Sequence, residues 1–96
     1  MKFIVNEKQT SQGIILVVTD SNIIGKKFEE GNKQLDLTDN FYAGEEKTSE
    51  EVKKLINDAY VLHLTGEEAV SLGKELRLVE NVIVIKDIPH AEVLLE

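Results

Sequence analysis

Five consecutive aliphatic residues, Ile14-Ile15-Leu16-Val17-Val18, follow Gly13 with no alternation between apolar and polar positions. Successive side chains of a strand point to opposite faces, so an unbroken run of this kind buries both of them. A chain that contains it must cover a sheet from two sides, and this narrows the fold more than any other stretch. Lys2 to Asn6 is a second extended apolar run. The polar stretch Glu7 to Gln12 between the two reads as a medium loop, making an N-terminal antiparallel hairpin with a central strand.

The rest of the chain supplies the cover. Thr48-Ser49-Glu50-Glu51 has the form of a capping box and starts a helix, whose Val52, Leu55, Ile56 and Ala59 fall on one apolar stripe. Tyr60 to Leu64 reads as a strand, and Thr65-Gly66-Glu67-Glu68 opens a second helix with Ala69, Leu72 and Leu76 inward. Val82 to Ile85 reads as a buried strand and Glu92 to Leu95 as a short final one. Gln34 to Leu37 alternates as a half-exposed strand does, and Thr38 to Lys47 reads as loop. Asn22 to Gly31 reads as a short helix stopped at Gly31, although Gly25 costs about 1 kcal/mol there relative to Ala and offers a turn instead. The expected fold is a single small α/β or α+β domain over residues 1–96, with a mixed sheet of about five to six strands, the N-terminal hairpin and two main helices.

Charge and composition remove several functions. Eighteen acidic residues against eleven basic give a formal charge of -7, Arg77 is the only arginine, and no basic run exceeds two residues. Broad non-specific nucleic-acid binding needs clustered Lys and Arg to displace counterions, so it is excluded. Cysteine is absent, which excludes disulfides and thiolate chemistry. No apolar run approaches membrane-spanning length and the N-terminus has no signal-peptide core, so the expectation is a soluble cytoplasmic protein with no membrane partner.

Pro89-His90 carries the most suggestive chemistry. Proline fixes its own φ and biases Ile88 to extended geometry, which places His90 on a defined turn after the Val82–Ile85 strand. His90 there is a candidate general base, ligand contact or interface residue; the bland alternative is an imidazole bonded to a backbone carbonyl. An enzymatic reading gives His90 an acid/base role beside Glu45 or Glu67. His63 alternates with Val61 and Thr65, opposite Leu62 and Leu64, and reads as a partly buried strand histidine. A metal site from His63, His90 and a carboxylate would need adjacent strands to assemble it, and no local spacing supports one. Glu67 and Glu68 already answer the dipole of their helix and would repel a phosphate, and no Walker or Gly-x-Gly-x-x-Gly sequence occurs. The expected cofactor and metal content is therefore none.

Two further segments combine glycine with aromatic side chains. Gly25, Lys26, Phe28 and Gly31 form one, and Phe41, Tyr42, Gly44 and Glu45 the other. Each reads either as a solvated connector with its ring turned inward or as a contact surface. Together with Pro89 and His90 these are the candidate partner-binding residues.

Taken together, Gly25-Lys26-x-Phe28-x-Glu30-Gly31, Phe41-Tyr42-x-Gly44-Glu45, Gly66-Glu67 with Ala69-Val70, and Pro89-His90-Ala91 resemble the archaeal family known as domain of unknown function 424. The resemblance covers nearly the whole chain. Two positions depart from it: His63 stands where the family has Asn, and Arg77 where it often has Gly near a helix end. The family has no assigned activity. It implies association with genes of translation factors, and thus an accessory role around translation or ribosome assembly. The expected function is a binding or adaptor module for a protein or ribonucleoprotein partner. The alternatives are the small His90 enzyme and a structural homo-oligomer formed through a strand edge.

Overall fold

The computed structural model of the chain describes residues 2–95. β1 (Lys2–Thr10) and β2 (Gly13–Asp20) form the N-terminal hairpin, and β3 (Lys27–Glu30) and β4 (Lys33–Asp36) a second one. β5 (Glu45–Thr48) leads directly into α1 (Ser49–Ile56), followed by β6 (Ala59–Thr65), α2 (Glu67–Glu75), β7 (Ile83–Ile85) and β8 (Ile88–Leu94). The main sheet has the order β5-β1-β2-β6-β8-β7. Only the β2–β6 pair is parallel. The result is a mixed six-stranded α+β sheet with a separate two-stranded hairpin. No helix among the described residues is long and apolar enough to cross a membrane.

The aliphatic run of β2 lies centrally, between β1 and β6, and Leu16, Val17 and Val18 are completely buried. Helices cover one face: Leu16 and Val18 join Phe3, Val5, Leu62, Leu64 and Ala91 in a core closed by Val52 and Ile56 of α1 and by Ala69, Val70 and Leu72 of α2. The opposite face is covered in part by the excursion between β2 and β5. There Ile23, Leu35 and Leu37 pack on Ile85, with Phe28, Tyr42 and Ile88 beside them.

Several sequence expectations are corrected. Asn22 to Gly31 is not helical: residues 21–25 form turns, Lys27–Glu30 is a strand, and Gly31 sits in the hairpin turn rather than ending a helix. Glu7 to Thr10 is not loop but an extension of β1, registered residue for residue onto β2 as far as Gly13. Backbone ladders accept polar side chains on an exposed stretch, and this hairpin tightens to a turn at Ser11-Gln12. Glu45 to Thr48 is an edge strand paired with β1 rather than loop. Gln34 to Leu37 does form a strand, but in the small hairpin and outside the main sheet.

Helix ends explain two further residues. The capping box forms as its sequence indicates: the Thr48 hydroxyl accepts from the Glu51 amide at 3.2 Å and the Glu51 carboxylate accepts from the Thr48 amide at 2.8 Å. After α2, Leu78 donates to the Gly73 carbonyl and Arg77 to that of Lys74, with Arg77 at φ 62. This is the Schellman arrangement, whose left-handed position favours glycine.

Candidate functional site

The site is built from the sheet face that the helices leave open. Register places Thr19, Thr65 and His90 in one transverse row across β2, β6 and β8, and Val17, His63 and Glu92 in the next. Paired residues share a face, so the two histidines point to the same side, away from the helices. Their rings lie 6.0 Å apart. Phe41 meets His63 edge-on at 5.1 Å, its carbonyl accepts from the Asn6 side-chain amide at 3.0 Å, and the Lys8 ammonium stands 5.5 Å from its ring. The 37–44 segment thereby lays an aromatic ring over one end of the histidine pair.

Hydrogen bonds define the chemistry of each imidazole. His63 Nε2 lies 3.0 Å from a Glu92 carboxylate oxygen, which can only accept, so the proton of neutral His63 sits on Nε2. Its buried Nδ1 has no partner among the described residues. Protonating His63 would place a second N–H at that spot with nothing to accept it. His90 Nδ1 lies 2.8 Å from the Thr65 hydroxyl. Thr65 is completely buried, so its hydroxyl orients the His90 ring and cannot itself attack a substrate.

Burial pushes both imidazoles below their ordinary 6.5; for His90 the neighbouring His63 pushes the same way, and Glu92 opposes the shift in both. Both rings are neutral at pH 7. A base whose folded value is depressed binds more protons when unfolded between that value and 6.5, so stability is lost as pH falls through this window. The thermal midpoint is expected to drop as pH falls below about 6.5, and His63→Phe to flatten that dependence. Parallel midpoint curves for the two proteins would show that the histidine pair does not set it.

Beside the pair lies a cleft of about 280 Å³, lined by His63, Asn81, Ile83, His90, Ala91 and Glu92. Its wall is open at Ile83, 55% exposed, and Leu94, two residues beyond Glu92 on the same face in the adjoining cleft, is 65% exposed. Imidazoles, a carboxylate and an amide between aliphatic walls suit recognition of a polar group. No group of three or more His, Asp or Glu residues among those described is placed to hold a metal ion.

The residues singled out by sequence are distributed unevenly around this site. Pro89 and His90 are not on a turn after a buried strand. They lie inside β8, the turn is Lys86-Asp87 with both residues at positive φ, and β7 is an exposed edge strand. Pro89 accepts from the Gly66 amide at 2.9 Å but has no N–H to return, and the Gly66 carbonyl instead accepts from Val70 in the first turn of α2. Phe28, Tyr42 and Ile88 come together in the second cluster, so all three expected segments reach this face. Burial, with Asp39 and Asp36 nearby, raises the Tyr42 phenol above its ordinary 10. Gly25, Lys26 and Gly31 are exposed.

Glu45 and Glu67 are not assembled with His90. Glu45 lies on β5, four strand spacings from β8 or about 19 Å. Glu67 opens α2 and lines a separate cleft with Asp20, Asn22, Ile23 and Ile88, not the one that His90 lines. The carboxylate that does approach the histidines is Glu92, and the hydroxyl is Thr65; neither was singled out by sequence. The signal for Glu92 was its i+2 spacing from His90, which places both on one face of a strand that contains both.

The family model described as "Protein of unknown function (DUF424)" matches residues 7–95. The chain belongs to DUF424. Among solved structures, this DUF424 chain is similar to the crystal structure of an uncharacterized conserved protein from Methanopyrus kandleri, with a TM-score of 0.79 and 16% identity, covering 100% of this chain and 95% of that one. At that identity the likeness is one of fold alone. No curated protein matches the DUF424 chain.

Proposed function

We propose that this DUF424 chain is a cytoplasmic, non-enzymatic binding module that docks a protein or ribonucleoprotein partner on the open sheet face, in the setting of translation or ribosome assembly. The observation that carries the docking surface is the exposure of Ile83 and Leu94 on the same face as the His63–Glu92 pair, on either side of it. Large aliphatic side chains gathered around polar groups of defined geometry are the usual makeup of a contact patch. The acidic charge of the chain favours a protein surface over naked RNA. The translation setting rests on the family association alone, and it names ribosome-containing extract as the place to look.

The test is affinity capture from native extract, with and without nuclease treatment, using the intact chain and the double variant Ile83→Glu, Leu94→Glu as baits. A reproducible partner retained by the first and lost by the second is the expected result. Equal capture by both baits, or no reproducible partner, would overturn the assignment. The mass of the bait alone is measured beside it, because a dimer disrupted by the same variant would reassign the patch to self-association.

A further inference from the structure

We propose that the cleft beside β8 takes a lysine or arginine side chain of the docking partner, with Glu92 as its counter-ion. This rests on the binding-module reading and names the chemistry of the partner. Among the described residues, the only ionisable cation-forming group within ion-pair distance of Glu92 is the His63 imidazole, which leaves the carboxylate charge uncompensated while that ring is neutral. Glu92 also separates two clefts. One holds His63, Asn81, Ile83 and His90; the other, about 240 Å³, adds Glu80, Leu78 and Leu94. Neither is lined by a lysine or arginine.

Geometry then restricts what can cover the patch. A partner that buries Ile83 and Leu94 also withdraws Glu92 from water, since Glu92 stands between them on the same face. A carboxylate desolvated without a cation is strongly unfavourable, so a purely apolar partner is disfavoured at this spot. An anionic partner meets Glu92 and Glu80 and is repelled. A lysine or arginine satisfies both demands at once: its methylene stem lies along Ile83 and Leu94 while its charged head meets Glu92. Burial keeps both imidazoles neutral at pH 7, so they do not compete for the carboxylate as cations.

The probe is an Ala/Ser heptapeptide with one central lysine, compared with the same peptide carrying norleucine, and titrated into the isotope-labelled full chain by NMR. Saturable shifts at His63, His90 and Ile83 are expected with lysine and not with norleucine. Glu92→Gln keeps an acceptor for His63 and removes the charge; it is expected to weaken lysine-peptide binding about tenfold. Glu50→Gln, the same change of net charge on α1, is expected to leave binding unchanged. Equal binding of the norleucine peptide, no effect of Glu92→Gln, or an equal effect of Glu50→Gln would overturn the proposal. If capture identifies a partner on this face while the lysine peptide does not bind, the cation assignment fails and the binding-module reading stands. Peptide binding without any captured partner gives the reverse.

Discussion

Gly44→Ala is expected to lower stability by about 3 kcal/mol, the upper range for forcing atoms into a closed space, and to lift Phe41 off His63. Gly44 packs directly on β1, where an added Cβ would strike the Val5 carbonyl and the Asn6 amide nitrogen. Those are backbone atoms, and β1 is paired on both sides by β2 and β5, so it cannot step back. The 37–44 segment must move instead. Its nearest tether, the bond from the Asn6 side chain to the Phe41 carbonyl, lies in the same place. Losing the ring rehydrates His63, so the variant should also show a His63 pKa returning toward 6.5. A denaturation midpoint together with an NMR titration of the ring checks both effects. An unchanged midpoint with an unchanged titration would mean that the close approach of Gly44 does not position the aromatic cover.

The parts of the fold that were legible in sequence are those set by short-range chemistry. The run Ile14 to Val18 declares a two-sided strand without reference to anything else, and Thr48 and Glu51 cap their helix within one turn. What was not legible depends on pairing at a distance. Residues 45–48, Glu-Glu-Lys-Thr, are wholly polar and carry no strand pattern; they extend because β1 offers an unpaired edge. The Lys86-Asp87 turn lacks the Asn-Gly or Asp-Gly signature of a two-residue hairpin. Without that signal the local pattern starts the last strand at Glu92 and puts Pro89-His90 on a turn, apart from the carboxylate that shares their strand. The candidate cleft divides in the same way. His90 and Phe41 attract attention by residue type. Glu92 is placed locally, two residues from His90, but the relation of His90 to His63 and Thr65 comes from register between β6 and β8, and that of Phe41 to His63 from the packing of the 37–44 segment on β1, neither of which a local pattern encodes.

The open face also depends on a cap located far along the chain, and Asp20→Ala is expected to cost about 3 kcal/mol by removing it. Gly66 is the N-cap of α2 and has no side chain to offer. Asp20, at the end of β2, does the work instead: one carboxylate oxygen accepts from the Glu68 amide at 3.0 Å and the other from Ala69 at 2.8 Å. Gly66 is required for this, because its φ is 110 and a Cβ would collide with the Asp20 carboxylate. Removing the carboxylate orphans two amides, that of Ala69 fully enclosed. Asp20→Asn retains one good acceptor and should cost about 1 kcal/mol.

The pH dependence of the Asp20 cap separates it from a simple packing defect. Burial raises the Asp20 pKa above 3.8 despite the two amides that favour the charged form, and Glu68 and Glu67 add to the rise. The folded state then holds a proton that the unfolded chain has lost, so the stability contributed by Asp20 falls as pH rises from 3.8 through its folded value. The cost of Asp20→Asn should accordingly be greatest near 3.8 and shrink to a plateau above that window, while the histidine dependence is common to both proteins. Denaturant midpoints across pH, with amide exchange at Glu68 and Ala69, measure this directly. If Asp20→Ala left both exchange rates and the midpoint unchanged, water would be serving those amides and β2 would not anchor α2. If the loss is as large as expected, β2 holds α2 on one face through Asp20 while on the other its Val17 stands beside His63, and the two layers are coupled through a single strand.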